Sequence, residues 1–91
     1  MDWLSKDEYL FREKNGHLIK GMVHKEHFRL LIELSNIRSA KVIYALEGVL
    51  VNGMDVKHVC EVYGVTPSYF NRALRRMQEI SYCTACMAQY Y

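Results

Sequence analysis

The sequence predicts an all-α fold: a small helical bundle containing a helix-turn-helix, with a poorly ordered N-terminal arm. Three observations point there. Glycine and proline are sparse, at 5 and 1 of 91 residues. Apolar residues recur at three- and four-residue spacing along most of the chain, the period of a helix with one buried face. The run Asp55–Ile80, DVKHVCEVYGVTPSYFNRALRRMQEI, carries the stop and start signals of two helices joined by a tight turn. At this length, with 51% apolar residues, the chain supports one domain and one modest core. Residues 1–22 are read as the arm and residues 23–91 as the helix-turn-helix domain.

The arm is the least patterned stretch. Tyr9, Leu10 and Phe11 precede Asn15-Gly16, a strong turn signal, and Leu18 and Ile19 follow it. A hairpin with strands Glu8–Arg12 and His17–Lys20 fits that pattern. An irregular arm that docks a few side chains, or stays mobile, fits it equally, and we read it as an arm.

Lys25–Ser35 reads as a helix with Phe28, Leu31, Ile32 and Leu34 on its apolar face and Lys25, Glu26, Arg29 and Glu33 outside. His24 and His27 stand near its start. No carboxylate or cysteine pattern completes a metal site around them, so they are read as solvated. Ser35-Asn36-Ile37-Arg38 is a turn. Ser39 caps a second helix, Ala40–Val51, whose inner face is Val42, Ile43, Leu46, Val49 and Leu50. Gly48 costs helix stability, and close approach of another helix is the reason to expect it there. Asn52-Gly53 ends this helix.

The next helix turns Val56, Val59, Cys60 and Tyr63 to one side. Gly64 stops it, because glycine takes the left-handed cap conformation without steric cost. Val65 plugs the angle between the two helices. Thr66 is a good N-cap and Pro67 suits the first helical position. The last helix buries Tyr69 or Phe70, then Ala73, Leu74, Met77 and Ile80. Its outer face carries hydrogen-bond donors: Thr66, Ser68, Asn71, Arg72, Arg75 and Arg76. In a helix-turn-helix the second helix usually enters the DNA major groove. Double-stranded DNA is therefore the expected partner, with Lys57 and His58 near the start of the first motif helix in reach of phosphate. An ordinary helical hairpin with a solvated basic face is the bland alternative.

Beyond Ile80, SYCTACMAQYY is too apolar for a free tail. Either it packs back on the core or it contacts another copy. Tyr82, Met87, Tyr90 and Tyr91 are the candidate self-association residues, with Trp3 and Phe11 of the arm behind them. Cys83-x-x-Cys86 is a lone pair without a second pair of ligands, so no metal or other cofactor is expected.

Formal net charge is only +2, so the whole chain does not demand a nucleic-acid partner. What matters is that Arg72, Arg75 and Arg76 cluster on one helix. There is no Gly-rich phosphate loop, no nucleophile arrangement and no evident small-molecule substrate, so the chain does not read as an enzyme. No apolar run spans a bilayer and the N-terminus lacks a signal-peptide order, which makes the cytoplasm the expected compartment.

With these residues in place, the chain resembles the PapB-type regulators of adhesin and fimbrial operons in enterobacteria. HFRLLIELSNIRS, KVIYALEGVLVNG and HVCEVYGVTPSYFNRALRRM carry the likeness, over roughly His27–Tyr91. The family's cysteine in the first motif helix is matched by Cys60, and its paired tyrosines by Tyr90 and Tyr91. Residues 1–22 depart from the pattern. The resemblance implies a small helical regulator of pilus-gene transcription, associated with the nucleoid, that binds AT-rich repeated sites as an oligomer. A helix-turn-helix predicts major-groove reading, whereas AT-rich recognition also works through the shape of the minor groove, and arginine serves either. The rival reading is a helical protein-interaction module whose arginines meet an acidic partner.

Overall fold

The computed structural model describes residues 15–91. Among them the chain forms four helices and no strand: α1 Lys25–Ser35, α2 Ala40–Leu50, α3 Val56–Tyr63 and α4 Pro67–Ala88. The all-α reading holds. Of the weighed hairpin, residues 17–20 run as irregular chain ending in a turn, and Glu8–Arg12 lies outside the described residues. So do Trp3 and Phe11.

α4 is the axis of the bundle. It packs against the other three helices, as α2 also does, while α1 and α3 lie apart from each other. Its buried stripe is Phe70, Ala73, Met77, Gln78 and Ser81, so Phe70 rather than Tyr69 is the core aromatic. Leu31 of α1, Val42 and Leu46 of α2, and Val59 of α3 share the core with it and are among its best-buried side chains. On α1 the buried stripe is Phe28, Leu31 and Ser35, with Ile32 partly covered. Leu34, expected on that face, is exposed. Positions 28, 31, 32 and 35 keep the i, i+3, i+4, i+7 spacing, and 34 falls outside it.

Gly48 is where α2 and α3 come closest. A Cβ there would lie 2.9 Å from Val59 Cγ1 and 3.3 Å from Met54 Sδ. Valine is stiff at χ1 and cannot swing away, so the lost helix propensity is the condition of this approach.

The helix ends are closed by partners that local patterning does not reveal. His24 caps α1, its Nδ1 accepting from the Glu26 N–H at 3.1 Å. Asn36 takes the left-handed conformation at the other end, and Ser35 Oγ accepts from the Ile37 N–H. The last four carbonyls of α2 all find donors. Glu47 takes the N–H of Val51 and of Asn52, and Gly48 takes that of Met54. Val49 takes Gly53 and also Gly21, and Leu50 takes Val23, two donors that come from the segment before α1.

That segment, residues 16–23, is a strap over the core rather than a loose end. Leu18 and Val23 are buried. The Leu18 N–H donates to Gln78 Oε1 at 2.8 Å, and Gln78 Nε2 donates back to the Leu18 carbonyl at 2.9 Å. Ser81 Oγ adds a bond to the Gly16 carbonyl. The described end of the arm is therefore part of the domain's core.

Replacing Gln78 by leucine keeps the volume and removes both bonds, leaving a buried N–H and a buried carbonyl unpaired. The expected cost is on the order of 2 kcal/mol or more, with faster amide exchange at Leu18. An unchanged melting curve together with unchanged exchange would show that apolar contacts alone hold the strap.

Candidate nucleic-acid interface

The turn between α3 and α4 sets the site. Gly64 ends α3 at φ 69°, ψ 37°, in the left-handed region. A Cβ there would meet nothing within 4 Å, so the demand is on backbone conformation and not on space. Val65 follows and is buried in the angle, its N–H bonded to the Cys60 carbonyl. Cys60 is buried beneath the turn, and burial pushes its thiol up. It is a neutral packing residue there. Thr66 then caps α4, its Oγ1 accepting from the Tyr69 N–H at 3.2 Å, and Pro67 takes the first position. Both helices thus start and stop where the residues dictate.

The expected DNA-facing residues share one surface. Ser68, Asn71, Arg72, Arg75 and Arg76 are all exposed. Their spacing runs i, i+3, i+4, i+7, i+8, one stripe opposite the buried Phe70, Ala73 and Met77. The Arg72 guanidinium stands over the exposed Tyr69 ring, 5.6 Å from its centre. Thr66 is spent on the cap as an acceptor and keeps its hydroxyl proton to donate. Arg76 is tied as well: its Nε donates to the Ser35 carbonyl at 2.9 Å, so it supplies the positive charge that the C-terminal turn of α1 lacks. Lys57 and His58 are exposed on the first turn of α3. The neighbouring Asp55 carboxylate is engaged by Lys20 at 2.7 Å, and that hydrogen bond and charge hold it below the usual carboxylate range.

One cation escaped sequence reasoning. Arg38, in the α1–α2 turn, lines the same open groove as Tyr69, Arg72 and Arg76. Nothing in its local sequence marks it, because only the packing of α1 on α4 brings it to the arginine cluster.

The tail residues divide. α4 runs unbroken past Ile80 to Ala88, and Ser81 is its last buried residue. Tyr82 is half-buried, and its hydrogen bond with Cys86, one turn on, raises its phenol above the ordinary value. Met87 is half-exposed, and Tyr90 and Tyr91 are 82% and 101% exposed. The last turn and the two terminal tyrosines do not complete the core. Cys60, Cys83 and Cys86 are free thiols. Among the described residues no group of three or more His, Cys, Asp or Glu gathers as a metal site, and no helix is long and apolar enough to cross a membrane.

Comparison with known proteins gives one answer. All of residues 1–91 match the PapB family model, described as adhesin biosynthesis transcription regulatory protein. The match takes in residues 1–22, so the likeness extends through the arm as well. The chain is 36% identical to the major pilus subunit operon regulatory protein PapB of Escherichia coli, over 96% of this chain and 84% of that one. It is 37% identical to the E. coli regulatory protein FanB, over 86% of this chain and 79% of FanB. Among solved structures, E. coli FocB superposes with a TM-score of 0.80 at 36% identity, covering 93% of this chain and 94% of FocB. The family is one of transcription regulatory proteins and not of enzymes.

The turn makes a graded prediction. Gly64→Val places a β-branched residue at positive φ and is expected to cost about 1–3 kcal/mol. Gly64→Asn, which tolerates that region better, costs less. Chemical denaturation measures both; equal stability of the two variants would mean that positive φ is not what the turn requires.

Proposed function

The chain belongs to the PapB family of adhesin biosynthesis transcription regulatory proteins, and from that premise we propose that it binds duplex DNA through the outer face of α4. In this reading it is a cytoplasmic, nucleoid-associated regulator of fimbrial or adhesin operons that fills AT-rich repeated sites as an oligomer. The observation that carries the reading is the exposed stripe Ser68–Asn71–Arg72–Arg75, set directly after the Gly64 turn and opposite the core. Arginine gives this face bidentate hydrogen bonding and permanent charge, and serine and asparagine add donors and acceptors for base edges or phosphate. Lys57 and His58 add phosphate contacts that set register.

Self-association is the second half of the proposal. One helix reads few base pairs, so a single small domain has limited specificity. Copies held side by side raise one another's effective concentration, and avidity then replaces strong single-site contacts. The exposed Met87, Tyr90 and Tyr91, with the half-buried Tyr82 further up the same helix, support a tail contact between copies.

A gel shift across salt concentrations, with competitor DNA, tests the first half. Counterion release gives a log–log slope of about −0.9 per phosphate neutralised. Arg72→Ala and Arg75→Ala are expected to weaken binding with the fold intact, and each to lower the slope by about one where phosphate is the contact. Wild-type affinity and slope in both variants would remove α4's outer face from the interface. For the second half, deletion of Ala88–Tyr91 is expected to leave a folded domain that binds one site but loses cooperative filling of several. Footprinting on single and repeated sites, with sedimentation, reads this out; undiminished cooperativity would place the contact elsewhere.

A further inference from the structure

The described ion pairs share a pattern. Arg29 lies between Glu26 and Glu33, and Lys20 lies on Asp55. Among the described residues no ion pair engages Arg38, Arg72 or Arg76. These three line one open groove of about 400 Å³ between the α1–α2 turn and the flank of α4. No carboxylate lines it. Three guanidinium groups around one concavity repel each other, and the surrounding walls offer no charge to offset them.

The groove is also partly built. Arg76 is held by its bond to the buried Ser35, so its plane is fixed and its Nη groups are left to donate. Tyr69 orients Arg72 in the same way through its ring face. Asn36 also lines the groove. Such an arrangement suits a planar fork meeting tetrahedral anions.

We propose that this groove receives backbone phosphates of duplex DNA, with Arg38 as an anchoring residue outside the helix-turn-helix. The inference rests on the reading that α4 faces DNA. Arg72 and Arg76 belong both to the exposed stripe of α4 and to the groove, one helical turn apart, so they define a single continuous surface. A strand flanking a duplex groove occupied by α4 passes over that flank and meets Arg38 next. Arg38 then adds affinity and register across sequences without choosing a base.

The test measures fluorescence anisotropy of an AT-rich repeated duplex over a range of salt, with wild type, Arg38→Gln, Arg38→Lys and a Lys25→Gln control. Lys25 lies at the far end of α1, about 15 Å from the groove by helical rise. Arg38→Gln is expected to weaken binding about tenfold at low salt, the size of one charge-assisted contact, and to lower the slope by about one on all duplex sequences. Arg38→Lys keeps the slope and recovers only part of the affinity, because it lacks the fork. Lys25→Gln matches wild type. If wild type binds and Arg38→Gln binds with the same affinity and slope, the groove is not a phosphate site and the α4 reading stands. If Lys25→Gln loses as much as Arg38→Gln, the effect is diffuse charge and the site is refuted. If wild type binds no duplex but retains poly-glutamate, both the α4 reading and this inference fall.

Discussion

Irregular backbone that crosses a core must pair every N–H and carbonyl it buries, and this domain depends on how that constraint is met. α2 is the most deeply buried helix, with Val42, Ala45, Leu46, Gly48, Val49 and Leu50 covered. Water cannot solvate its end freely, so the carbonyls of Val49 and Leu50 take donors from the strap. The strap's own buried peptide at Leu18 is answered by Gln78, 60 residues away. The end of α1 is answered by Arg76, 41 residues away. These three joints fix α1, α2, the strap and α4 to one another. α3 and its turn then sit on a frame whose geometry is set elsewhere. No buried side-chain nitrogen or oxygen among the described residues lacks a partner.

The sequence makes the local joints plain and the distant ones invisible. Ser39, Gly64, Thr66 and Pro67 each act on neighbours within a few residues, and each stands where its conformational preference predicts. Gly48 is legible too, because a glycine inside a helix needs a reason and a close neighbour supplies one. Gln78 gives no such signal: a single glutamine on a helix reads as surface until its partner is known. His24 reads as a solvated histidine, and nothing in the local pattern shows that its work is to cap α1. Leu34 passed for core because sequence counts apolar residues more readily than it fixes the phase of a broad stripe. Past Ile80, Ala85, Met87 and Ala88 favour helix and α4 does continue to Ala88; the inward turn of Ser81 to bond the strap is the part that no local signal marks.

Charge tells a similar story at the scale of the whole chain. A formal +2 says little, because it averages over cations that do different things. Lys20 and Arg29 are answered inside the fold. Arg76 is half committed, holding a helix end with one nitrogen while its other nitrogens remain available to donate. Arg38 reaches the cluster only through tertiary packing. The basic character of the proposed interface is thus produced by folding, which separates answered from unanswered cations, and could not be read from net charge.

The unbroken α4 has one more consequence. It carries the proposed DNA face near its start and the exposed tail at its end, and no joint lies between them. From Arg72 to Met87 the helix climbs roughly 22 Å and turns roughly 60° beyond whole revolutions. The two surfaces are therefore phase-locked, as teeth at either end of one shaft. Inserting a single residue between them would swing one past the other by about 100°, so the spacing can change only in near-whole turns. Copies joined through their tails would inherit that fixed offset, and the pitch of such an array must then be commensurate with the 10–10.5 base-pair repeat of the duplex beneath it.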